Sequence, residues 1–68
     1  MNRAELRAAI ARKGLLMKDI SEALGVSPTT LYYKLIGRTE FKESEIRTLV
    51  KVLALTPDEV NLIFWDEA

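Results

Sequence analysis

The sequence predicts an all-α domain of five short helices. Apolar residues recur at spacings of three and four along the whole chain, and the period-two alternation of a half-buried strand is absent. Helix start and stop signals bound most of these apolar segments. A chain of 68 residues is one domain, at the size where a single core only marginally suffices.

Helix one is predicted over about Arg3 to Lys13, with Asn2 as N-cap, Glu5 three residues on, and Leu6, Ile10 and the alanines inward. Gly14 stands where a left-handed C-cap residue is wanted. Helix two covers about Met17 to Leu24, with Ile20, Ala23 and Leu24 inward, and Gly25 stops it. Helix three opens on Ser27 as N-cap and Pro28 at the first helical position, where a missing N–H costs nothing. It runs to about Ile36 and closes at Gly37, and Phe41 is expected to anchor the loop beyond it. Helix four covers about Glu43 to Leu53 with Ile46, Leu49, Val50 and Leu53 inward, although Lys42 stands where a capping hydroxyl would be expected. Helix five opens on "TPDE", a capping box of Thr56 and Glu59 around Pro57, and carries Val60, Leu62 and Ile63 inward.

Composition narrows the function. With no histidine and no cysteine, the commonest general base, the thiolate nucleophile and the usual transition-metal ligands are missing. No paired-carboxylate constellation replaces them, so neither an enzyme nor a metal or cofactor site is expected. No apolar run approaches the roughly 20 residues needed to span a bilayer. The opening "MNRAELRAAI" carries charges through its apolar positions and does not read as a signal peptide, so a cytoplasmic location is expected. Net charge is zero, but residues 1–38 hold seven basic and three acidic side chains and residues 39–68 three basic and seven acidic. Such asymmetry between halves hints at an electrostatic partner, although an ordinary solvated surface fits the same count.

The turn between helices two and three is the distinctive feature. "LGVSP" supplies a helix end, a glycine, an apolar plug in Val26 and an immediate new N-cap, so the two helices meet at a steep angle. An αα-hairpin of any small bundle has a similar turn; the apolar positions Ile20, Leu24, Val26, Leu31 and Leu35 favour a helix-turn-helix over about 17–36.

The segment "MKDISEALGVSPTTLYYKLIGR" resembles the helix-turn-helix of the phage Cro and repressor superfamily, the XRE family, in Ser21, Gly25, Val26–Ser27, Leu31 and Gly37. The continuation to "LIF" is similar to short phage repressor-like regulators, so the resemblance spans nearly the whole chain. It implies a lambda-repressor-like fold and a sequence-specific regulator of transcription that binds double-stranded operator DNA as a homodimer. Two departures stand out. Many members carry glutamine at the start of helix two and at the first position of helix three; here those places hold Met17 and Pro28.

A recognition helix lies in the major groove with its N-terminal residues nearest the base edges. With about 100° per residue and Leu31 and Leu35 inward, Tyr33 points straight out, Tyr32 lies half-buried on the flank, and Ile36 must pack under the following loop. Ser27, Thr29, Thr30 and Tyr33 are the candidate base contacts. Lys18, Lys34 and Arg38 are the candidate phosphate contacts, which fix register without reading sequence. Phe64 and Trp65 are the candidate dimer contacts, one filling the core and Trp65 exposed, and the acidic end keeps DNA away from that surface. Two other readings use the same fold: a protein-interaction module of antirepressor or adaptor type, and an excisionase-type accessory protein that bends DNA.

Overall fold

The computed structural model describes residues 1–65, and among them every regular element is helical: α1 (Arg3–Lys13), α2 (Met17–Leu24), α3 (Pro28–Leu35), α4 (Glu43–Val52) and α5 (Pro57–Val60). A π-helical turn, Asn61–Trp65, continues α5. Asp66 and Glu67, on which the expectation of an acidic end rests, lie outside the described residues.

The local signals account for the helix boundaries. The Asn2 side chain accepts from the Glu5 N–H at 3.1 Å, and Gly14 (φ 69°) and Gly25 (φ 72°) take the left-handed conformation that ends α1 and α2. Lys42 cannot cap α4 with its side chain, and the need is met from the other direction: its backbone N–H donates to Glu45 Oε1 at 2.7 Å. Thr56 and Glu59 complete their capping box, with Thr56 N–H on Glu59 Oε1 at 2.9 Å and Glu59 N–H on Thr56 Oγ1 at 3.2 Å. Ala54, just past α4, is left-handed at φ 50° although it is not glycine.

One core is built from Leu6, Ala9 and Ile10 of α1, Ile20 of α2, Leu31 and Leu35 of α3, Leu49 of α4, and Phe41, Leu53, Ile63 and Phe64 from the connections and the C-terminal turn, with Val60 of α5 packed against it. Phe41 anchors its loop as expected. Two expectations are corrected. Ala23 of α2 faces solvent while Ser21 is buried, because α2 packs against α3 and α4 at once and its inward face turns toward Ser21. The buried hydroxyl is satisfied by the Lys18 carbonyl at 3.0 Å. At the C-terminus, Leu62 points outward, since the wider π turn brings Ile63 together with Phe64 onto the core side. The Asn2 N–H donates to the Ile63 carbonyl at 2.6 Å, tying the start of α1 to that turn.

The charge asymmetry largely serves the fold. Arg3 pairs with Glu40 (3.3 Å), Arg12 and Lys13 with Glu59 (3.4 and 3.5 Å), and Lys34 with Glu45 (3.0 Å). Four of the seven cations in residues 1–38 therefore meet acids from residues 39–68. The backbone N–H of Thr56 holds the Glu59 carboxyl below its ordinary range, more than burial raises it, with the Lys13 and Arg12 cations acting in the same direction.

Candidate nucleic-acid interface

The short Gly25–Ser27 turn sets α3 across α2, and α3 is then fixed from three sides. At its start, Ser27 Oγ accepts from the Thr30 N–H at 3.1 Å and donates to Thr30 Oγ1 at 3.0 Å. At its end, two arginines from α1 reach the terminal carbonyls: Arg3 Nε donates to the Lys34 oxygen at 3.2 Å and Arg7 Nη1 to the Leu35 oxygen at 2.9 Å. Cations at a helix C-terminus also complement its macrodipole. Along its flank, the Lys34 ammonium is buried, paired with Glu45 of α4 at 3.0 Å, bonded to the Glu40 carbonyl at 3.0 Å and 5.9 Å from the Phe41 ring centre.

That buried lysine widens the inward face of α3. Leu31 and Leu35 alone put the inward direction between them; adding Lys34 swings it by about 25° toward α4. The swing carries Tyr32 from about 80° to about 105° off the core direction but leaves Tyr33 about 155° off it, so Tyr33 owes its partial burial to the loop that follows and not to the helix face. Tyr32 is 58% exposed, and Tyr33 is the half-buried one. The loop after α3 curls over Tyr33, with the Arg38 and Thr39 N–H groups both donating to its carbonyl (2.9 and 3.3 Å). The two rings lie 6.0 Å apart and tilted by 52°. Ile36, expected under the loop, is instead 49% exposed beside Tyr32.

Lys34 is accordingly not a surface cation, and its expected phosphate contact is corrected: the ammonium is enclosed by the fold. Lys18 and Arg38 are exposed, as that expectation requires. Of the four residues assigned to bases, Thr29 is exposed on α3, Ser27 is exposed with its hydroxyl bound to Thr30, and Thr30 and Tyr33 are half-buried. Tyr32, Ile36 and Met17 share the outer face but were not among them. Together with Arg7, Pro28, Leu31 and Leu35 they line a groove of about 240 Å³ between α1, the start of α2 and α3. At the other end of the chain Trp65 is 66% exposed and Phe64 only 5%, so Phe64 is a core residue and not a surface contact.

Gly37 closes α3 at φ 87°, and a β-carbon there would meet the Arg3 guanidinium at 3.2 Å. Gly37→Ala is expected to lower stability by about 1–2 kcal/mol from the left-handed backbone alone, read by urea denaturation, and to loosen the Arg3 contact with the Lys34 carbonyl.

No described helix is long and apolar enough to cross a membrane, and no group of three or more His, Asp or Glu side chains able to hold a metal ion occurs among the described residues. No curated protein and no solved structure matches the chain. The model of a family described as a helix-turn-helix domain matches residues 3–63, and with α2 and α3 in that arrangement the chain belongs to this family of DNA-binding helix-turn-helix domains.

Proposed function

We propose that the protein is a sequence-specific regulator of transcription, repressor- or Cro-like and of phage or prophage type, that binds operator DNA as a homodimer and acts by occluding polymerase or a competing regulator. The observation that carries this reading is the fixed presentation of α3. Ser27, Arg3, Arg7 and the Lys34–Glu45 pair hold it with Thr29 and Tyr32 exposed, and Lys18 and Arg38 are exposed cations as well. Threonine methyls and the tyrosine ring suit thymine methyl groups, and the hydroxyls suit base edges or phosphates. Trp65, large and exposed, is the residue proposed for the dimer contact.

The test is to titrate purified protein onto the DNA flanking its own gene at several salt concentrations. A two-fold-symmetric protected site is expected, with log K falling linearly in log salt as counterions are released.

Two features favour the second reading, a protein-interaction module. The groove beside α3 is almost wholly apolar, and most cations of the N-terminal half are paired within the chain. On that reading no duplex is bound at low salt, and Tyr32→Ala abolishes capture of a protein partner instead.

A further inference from the structure

We infer that Tyr33 acts on DNA through Arg38: its ring is the platform that holds the Arg38 guanidinium in place as a phosphate contact, and its hydroxyl reads no base. The inference rests on the DNA-binding reading above and deepens it. The guanidinium carbon of Arg38 lies 4.6 Å from the Tyr33 ring centre, within the distance of a favourable cation–π contact. The backbone enforces the same pairing, since the Arg38 N–H donates to the Tyr33 carbonyl at 2.9 Å. Gly37, left-handed at φ 87°, turns the chain back so that Arg38 can lie over the residue five positions before it.

Among the described residues Arg38 meets no carboxylate within salt-bridge distance, whereas Arg3, Arg12, Lys13 and Lys34 each do. It is therefore a cation left available beside α3, and one whose side chain is already ordered. A free arginine loses rotamer freedom when it binds a phosphate; a stacked one has lost much of it beforehand. Its place also matters. Arg38 follows the C-terminal end of α3, and residues beyond that end of a recognition helix reach the backbone, not the bases. Tyr33 is half-buried under this loop, so its ring is better placed to support Arg38 than to enter the groove.

A phosphate contact is independent of sequence, so the test needs no known operator. Binding of two short duplexes of unrelated mixed sequence would be followed by fluorescence anisotropy over a salt series. The proteins are wild type, Tyr33→Phe, Tyr33→Ala, Arg38→Ala and the double variant Tyr33→Ala/Arg38→Ala, each checked for helicity by circular dichroism. Arg38→Ala is expected to weaken both duplexes about tenfold at low salt and to lower the salt slope by about one. Tyr33→Ala is expected to cost about three- to fivefold on both duplexes, and Tyr33→Phe, which keeps the ring, to bind as wild type does. The double variant should bind as Arg38→Ala does, since without the guanidinium the platform has nothing to hold.

Three results overturn the inference while leaving DNA binding intact. One is a Tyr33→Phe loss equal to that of Tyr33→Ala, which means the hydroxyl makes the contact. Another is a double variant whose loss is the product of the single losses, which is also what a merely structural role for Tyr33 would give. The third is a Tyr33→Ala loss confined to one duplex, the mark of base reading. Absence of salt-dependent binding by the wild-type protein overturns the DNA-binding reading and the inference with it.

Discussion

Glu45→Leu is expected to lower the melting temperature by about 10–20 °C. The replacement leaves the Lys34 ammonium enclosed without its anion and strips the Lys42 N–H of the acceptor that caps α4. Removing one partner of a buried pair costs about 3–5 kcal/mol in general, and this pair, close to the surface, belongs at or just below the low end. A domain of 68 residues holds only about 3–10 kcal/mol in total. The double variant Lys34→Met/Glu45→Leu should recover most of the loss, because an apolar pair of similar volume fits the same space without a charge to desolvate. If the single and double variants melt together, the Lys42 cap and not the ion pair is what Glu45 supplies.

The same pair gives a pH dependence. Burial raises the Glu45 carboxyl, but the Lys42 N–H and the Lys34 ammonium together outweigh it and hold the group below its ordinary range. A carboxyl depressed in the folded state contributes stability that is present above its unfolded value of about 4.3 and is lost as pH falls through the lower, folded one. Thermal melts from neutral pH down to about pH 3 should therefore fall more steeply for wild type than for Lys34→Met/Glu45→Leu. The double variant keeps some acid sensitivity, because Glu59 is depressed in the same direction.

Thr29→Glu is expected to weaken binding to any duplex by about a hundredfold or more while leaving the fold intact. Thr29 is the second residue of α3, exposed, and on the face held outward by Lys34, Arg3 and Arg7. A carboxylate there meets the phosphate-lined groove head-on, and like charges brought together across an interface cost several kcal/mol. Helix stability moves the other way. An acid in the first turn complements the macrodipole by about 0.3–1 kcal/mol, and α3 has none in the native sequence. Unchanged or higher thermal stability with lost binding would tie the function to this face. Retained binding would exclude α3 as the element that meets DNA.

Most helix boundaries were legible because their causes are local. Asn2, Ser27 and Thr56 cap with their own side chains, and Gly14 and Gly25 supply the left-handed turns, all within four residues of the backbone they act on. Other ends were not, for equally local reasons: Ala54 takes a left-handed conformation without being glycine, and α4 is capped by Glu45 reaching back to Lys42. The burial of Lys34 on α3 and the covering of Tyr33 by the loop beyond it were the features that mattered most and were misread. Leu31, Lys34 and Leu35 occupy the one-, four- and five-positions of an inward stripe, so the spacing did mark Lys34 as a stripe residue. Its charge argued for the surface, and only its partner on α4 could overrule that.

By itself, then, the sequence determined an all-helical chain, its helix-turn-helix and the ring of apolar residues that holds it, because periodicity and capping act within one or two turns. The tertiary structure alone decided that the charge asymmetry ties the halves together, that Lys34 is buried, and that Tyr32 and not Tyr33 stands outward. The first two outcomes depend on which cation meets which carboxylate across distant segments, and the third on the loop after α3, whose Arg38 lies over the Tyr33 ring. A buried charge takes whatever position its partner allows, and helix periodicity carries no record of where that partner lies.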